Sequence, residues 1–122
     1  ALRFGGTPTP EIDVLAPLPE NRFVLLLKHQ PTVNPDSVGL FDLQLSGHTH
    51  RGQIWPFYWL TRMVYEYRPG LRALAPSKSG EAYASGAARE SRVFVSNGSG
   101  TWGPPIRFFA PPQVGIIDIV RK

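Results

Sequence analysis

The sequence has no cysteine, one methionine and only three histidines in 122 residues. Without thiols there is no disulfide framework, no thiolate zinc site and no cysteine nucleophile, while the compartment stays open. No stretch approaches the roughly 18 to 20 apolar residues of a membrane-spanning helix, and the first residues lack the basic, apolar and small-residue order of a signal peptide. The chain as given is expected to be soluble. Thirteen Lys and Arg stand against nine Asp and Glu, a net charge of +4, with no cluster of five or more basic residues. On that balance nucleic acid is not an expected partner, whereas a small anionic substrate or a lipid head group suits it. The chain opens at Ala1 and its methionine is Met63, so it reads as processed or as cut from something longer.

Glycine and proline are plentiful, 12 and 13 residues, beside an apolar fraction of 42%. That mixture builds one domain at most, with a core but with many turns and no long helices. Residues 1 to 8 (ALRFGGTP) read as an entering loop. A short helix is expected next, capped by Thr9, with Pro10 at its first position and Glu11 and Asp13 at the positive end of the dipole. Its apolar face is Ile12, Leu15 and Ala16, and Pro17 and Pro19 end it. Arg22 to Lys28 (RFVLLLK) is a continuous apolar run, the pattern of a strand buried on both faces. Pro35 to Gly39 fits one helical turn, Phe41 to Ser46 (FDLQLS) alternates as a second strand, and Arg92 to Ser96 (RVFVS) reads as a third. Gly70 to Ala88, small and polar, reads as a long loop, and Val114 to Val120 (VGIIDIV) as a last strand.

All three histidines follow strand-like segments, His29 after RFVLLLK and His48 and His50 after FDLQLS. Loops at the C-terminal ends of parallel strands gather around one crevice, so adjacent strands would bring these imidazoles together. In extended backbone His48 and His50 share a face with Cα atoms about 6.5 to 7 Å apart, close enough to serve one metal or two neighbouring ones. Imidazole suits zinc, manganese, iron or nickel.

Three segments carry a family resemblance: LLLKHQP at Leu25 to Pro31, DLQLSGHTHRGQI at Asp42 to Ile54, and VFVSNGSGTWGPPIRFFAPPQVGIIDI at Val93 to Ile119. Together, over Thr9 to Val120, they resemble the C-terminal half of the calcineurin-like metallophosphoesterases, in particular small bacterial enzymes often tied to membranes. The resemblance implies an α/β fold, a four-layer αββα sandwich in the whole enzyme. Residues 1 to 122 would give its C-terminal half as a single domain or half-domain, strand-rich with few short helices. It implies that His29 and His48 ligate one ion of a two-metal centre and His50 the other, the ions being manganese, zinc or iron. Such a pair, about 3.5 to 4 Å apart, clamps phosphate oxygens and activates a bridging water. The family's upstream Asp-x-His, Gly-Asp-x-x-Asp and Gly-Asn-His segments are absent from this sequence, and no catalytic residue is assigned in it. The expectation is a C-terminal fragment of a phosphate-ester hydrolase that alone binds metal weakly and turns over little. Half a sandwich would expose the inner faces of Arg22 to Lys28 and Val114 to Val120, and is expected to self-associate.

Arg51 and Asn97 are the substrate-binding candidates. Arg51 stands where the resembling subgroup more often has glycine; it is either a planar donor to phosphate or a solvated loop arginine. Asn97 opens the turn to Gly103, whose backbone N–H groups either approach an anion or simply connect two elements. Asp42 and Asp118 read as strand-end or surface carboxylates. Six aromatics crowd Trp55 to Tyr67, interleaved with Arg62 and followed by Arg68. They form a membrane-interface patch, a lid over a lipid-like substrate, or ordinary core packing. Two further readings stand beside the phosphoesterase: a non-enzymatic membrane- or partner-binding module with a vestigial His cluster, and single-strand nucleic-acid binding on aromatic platforms. Neither needs the imidazoles.

Overall fold

A computed structural model describes residues 9–75 and 89–120. The entering loop at residues 1–8 and most of the loop expected up to Ala88 lie outside the described residues. Helix α1 spans Glu11–Leu15 and buries Leu15. Its cap is Pro10, with an extended ψ of 138° and a carbonyl that accepts from Asp13 N at 3.1 Å, so the helix starts one residue later than expected and Thr9 is not its cap. A 3-10 turn follows at Pro35–Ser37, where the Asn34 side chain accepts from Asp36 N. Gly39 leaves that turn at a φ of 101°, a region open to glycine.

Four strands form one mixed sheet in the order β1-β2-β4-β3: β1 Leu25–Leu27, β2 Leu43–Ser46, β3 Gly70–Ala73 and β4 Arg92–Val95. The β1–β2 and β2–β4 pairs are parallel, and β3 runs antiparallel to β4. Gly70 to Ala73 is therefore strand rather than loop. Its four residues carry little strand signal of their own and gain their conformation from pairing with Val93 and Val95, which are fully buried. An eight-residue helix, α2 (Phe57–Val64), covers part of the aromatic stretch. Among the described residues no helix is long and apolar enough to cross a membrane.

Register decides which face carries the core. The rows Leu26–Gln44–Val93–Arg72 and Ser46–Val95–Gly70 lie on one side, against Leu15, Val24, Val38, Leu40, Phe41 and Leu74. The row Leu27–Leu45–Phe94–Leu71 lies on the other, and there Leu27 is 72% exposed. Arg22 to Lys28 is thus not buried on both faces: β1 is an edge strand whose Leu25 and Leu27 face outward. The apolar run reports a demand for burial that the described residues do not meet.

Val114 to Val120 is not a strand either. It pairs with no sheet edge and crosses the open face, where Gly115 backs onto the Phe94 ring so closely that a Cβ would sit 2.7 Å from it. Ile116 is 89% exposed and Val114 80%. A β-branched run adopts strand conformation only where an edge offers it hydrogen bonds, and this segment instead hangs from Gln113 N, which donates to Gly98 O at 3.0 Å.

Candidate functional site

Because β1, β2 and β4 are parallel, their C-terminal ends share one rim of the sheet. The ladder continues past the strands: Lys28 N donates to Leu45 O at 3.0 Å, and Gly47 N to His29 O at 3.1 Å. The second bond sets His29 beside the Gly47-His48 turn. Behind it, alternation turns Gln44 and Ser46 inward. Gln44 Nε2 donates to Thr32 O and Ser46 Oγ to Gln30 O, which fixes the chain leaving His29.

His29 Nε2 and His48 Nδ1 lie 2.8 Å apart, and the two rings meet edge-on at 4.7 Å between centroids. Tyr65, just past α2, packs edge-on against His48 at 5.8 Å. Desolvation, then the nearby His29 and then His50, hold the His48 imidazole below its ordinary pKa, which favours its neutral form. His50 stands apart from this pair. Its Nδ1 faces Gly100 O at 3.3 Å, so that N–H donates to the carbonyl and Nε2 carries the lone pair. Ligating histidines commonly present this arrangement, one nitrogen anchored to backbone and the other free.

The loop that carries them is strained. His48, His50, Arg51 and Gln53 have φ of 68°, 45°, 52° and 52°, values that cost side-chain-bearing residues of order 1 kcal/mol each. Two residues that the sequence reading passed over hold it there. Gln53, 6% exposed, donates through Nε2 to Trp102 O at 2.7 Å and Pro104 O at 3.0 Å, and its carbonyl accepts from Phe108 N. Arg107 donates to His50 O, Asn97 O, Gly100 O and Ala110 O, so one guanidinium ties the histidine loop to the Gly-rich turn. A signal existed for Arg107: it is the only charged residue in the otherwise apolar, Pro-rich stretch PPIRFFAPP.

The substrate candidates sit differently. Arg51 stacks over Tyr58 of α2, its guanidinium 5.6 Å from the ring centroid. Asn97 is 7% exposed, and its Oδ1 has no hydrogen-bond partner among the described residues. Thr49 Oγ1, between His48 and His50, is also buried without a partner. Such orphaned oxygens cost desolvation that an ion, a water or a donor would relieve. Asp42 holds structure, accepting Val24 N at 2.7 Å and Arg89 Nη1 at 2.6 Å, while Asp118 is exposed.

Two nitrogens about 2.1 Å from one ion and at right angles lie about 3 Å apart, so the His29–His48 spacing suits two ligands of a single metal. The fit ends there. Among the described residues no group of three or more His, Asp or Glu side chains is arranged to hold an ion, and no carboxylate joins the pair.

No family model matches the chain, and no solved structure matches it. It is similar to proteins named as uncharacterized metallophosphoesterases. One from Aquifex aeolicus is 36% identical over 115 residues, covering 93% of this chain and 39% of that protein. One from Campylobacter jejuni is 39% identical over 99 residues, 80% of this chain and 23% of the relative, and one from Bacillus subtilis is 30% identical over 118 residues, 93% and 36%. The chain therefore spans well under half the length of these relatives. Identities of 30 to 39% to proteins so named, over 80% or more of the chain, support a metallophosphoesterase family.

Proposed function

We propose that this chain is the histidine-bearing, C-terminal half of a two-metal phosphoesterase domain, a four-layer sandwich when whole. His29 and His48 would hold one ion and His50 Nε2 the other, with manganese, zinc or iron as the metals. The observation that carries this is the facing pair of ring nitrogens, 2.8 Å apart at adjacent parallel strand ends. When bound, divalent ions polarise phosphoryl oxygens and activate water. The chain's own part is to offer imidazoles: desolvation and the neighbouring histidines lower the His48 pKa and so favour its ligating form, and His50 is oriented by Gly100 O. Arg51 and Asn97 would meet the phosphate ester, Arg51 through its planar guanidinium on leaving Tyr58. Among the described residues no carboxylate joins the histidines to hold two dications together, so the isolated chain is expected to be inactive.

The test is hydrolysis of an aryl phosphate and an aryl phosphodiester in manganese or zinc, by the 122 residues and by a longer protein that carries them. Activity only in the longer protein, lost on His48→Ala, is the expected result. Equal activity in the isolated chain, or an unaffected His48→Ala enzyme, contradicts the proposal.

A second reading, a non-enzymatic membrane- or partner-binding module, is favoured by one observation. Helix α2 has no buried residue, and Trp55, Trp59 and Met63 around it are 58%, 57% and 84% exposed. Liposome co-sedimentation with Trp55→Ala and Trp59→Ala tests it: binding that is lost in these variants, with no metal affinity, favours the module.

A further inference from the structure

We propose that the pocket between α2 and the His48 to Ile54 loop takes the apolar tail of the substrate, which makes this a site for amphiphilic phosphate esters bearing an alkyl or acyl chain. This rests on the phosphoesterase reading above and names its substrate class. The pocket measures about 360 Å³, and Ile54, Phe57, Leu60, Trp102 and Pro104 are its apolar lining, beside the uncharged Gln53 and Thr61. Its size is that of a small-molecule site. His48, Thr49 and His50 also line it, so the imidazoles border the same cavity.

Charge sorts the two ends of the ligand. No Asp, Glu, Lys or Arg is among the described lining, so a phosphate inside the pocket would lose its water without gaining a counter-charge. The cations stand outside that lining: Arg51 of the histidine loop and Arg62 of α2 stack over Tyr58, and Arg62 also over Trp59 at 5.1 Å. Phosphate is thereby directed to the imidazoles and the neighbouring guanidiniums, and the pocket is left to hydrocarbon.

The walls are pre-formed. The Trp102 main chain is pinned by Gln53, and Gly52 lies against the backbone of Phe57 and Tyr58, which sets the spacing between loop and helix. Phe57 and Leu60 remain 55% and 56% exposed, apolar surface that the protein's own core does not use and that a tail would cover.

The test measures binding of n-alkyl phosphates from methyl to decyl, each below its micelle concentration, to the full chain by calorimetry. Affinity is expected to rise by up to about fourfold per methylene until the pocket fills, then level off. Leu60→Glu places a charge on the wall at a half-exposed position and is expected to abolish the gradient along the series. Val64→Glu, on α2 but outside the lining, is expected to leave the gradient intact. A flat series overturns the proposal, as does a gradient that survives Leu60→Glu or is lost equally in Val64→Glu. A zinc titration of the same protein separates the two claims. Zinc binding with a flat series removes the tail pocket alone, whereas a gradient without zinc binding removes the phosphoesterase reading and the substrate assignment with it.

Discussion

Replacing Gly52 by alanine strikes the point where the histidine loop meets α2. Gly52 has a φ of 75°, and a Cβ built there would lie 2.4 Å from Tyr58 N and 2.6 Å from Phe57 C and Tyr58 Cα. The left-handed backbone alone costs an alanine about 1 kcal/mol. The clash is with main chain, which no rotamer change relieves, so loop and helix must separate; overpacking of this kind costs about 1 to 3 kcal/mol. The sum, about 2 to 4 kcal/mol, is a large share of the roughly 5 to 15 kcal/mol that holds a domain together. At this chain length it corresponds to a fall in Tm of roughly 8 to 20 °C. Gly47 is the internal control. It is also next to His48, but it lies outside the left-handed region and nothing stands within 4 Å of its added Cβ. Gly47→Ala should therefore stay within about 0.5 kcal/mol of the parent. Thermal and urea melts followed by circular dichroism measure both. A Gly52→Ala protein that melts like the parent, or a Gly47→Ala protein that falls as far, would refute the reasoning.

Arg107→Ala removes a charged donor from five carbonyls and should cost about 2 to 3 kcal/mol. Hydrogen exchange at Gly98 to Trp102 should accelerate, and Arg107→Lys should not restore protection because an ammonium lacks the planar fork. Tyr67 has its pKa raised above the ordinary 10.0, first by burial and then by the Glu66 charge. Its protonated form is favoured in the fold, so its contribution is complete below the ordinary value and is lost as pH rises through the elevated one. Absorbance titration at alkaline pH should show one late tyrosine that Tyr67→Phe removes, together with part of the alkaline stability slope. Leu27, at 72% exposure on the open sheet face, is expected to drive self-association; light scattering should give a smaller species for Leu27→Lys, and an unchanged monomer in both would contradict this.

The strands that frame the site were legible because their patterns are local. Leu43 to Ser46 alternates and Arg92 to Val95 is β-rich, and the turn at Pro35–Ser37 is bracketed by Pro35 and Gly39. The position of each histidine just past an apolar run meant that adjacent parallel strands would gather all three; β1 and β2 are such a pair and bring His29 to His48, while His50 turns to Gly100 O. What was not legible depends on partners. Gly70 to Ala73 becomes a strand only through β4, and Val114 to Val120 fails to become one for want of an edge. Arg22 to Lys28 reads as doubly buried because its leucines demand cover, and composition cannot say whether the covering layer is present. The strained φ values at His48, His50 and Arg51 had no signal, since none of these residues favours them; they are imposed by Gln53 and Arg107 from 49 to 57 residues of sequence separation.

The central claim is that His29 and His48 are ligands of one ion. Zinc or manganese titration of the 122-residue chain by calorimetry, repeated on His29→Ala and His48→Ala, tests it most directly. The account predicts weak binding of a single ion that falls at least about tenfold in either variant, as loss of one of few ligands requires. Binding that is unchanged in both variants, or no binding of either metal at neutral pH, would contradict it.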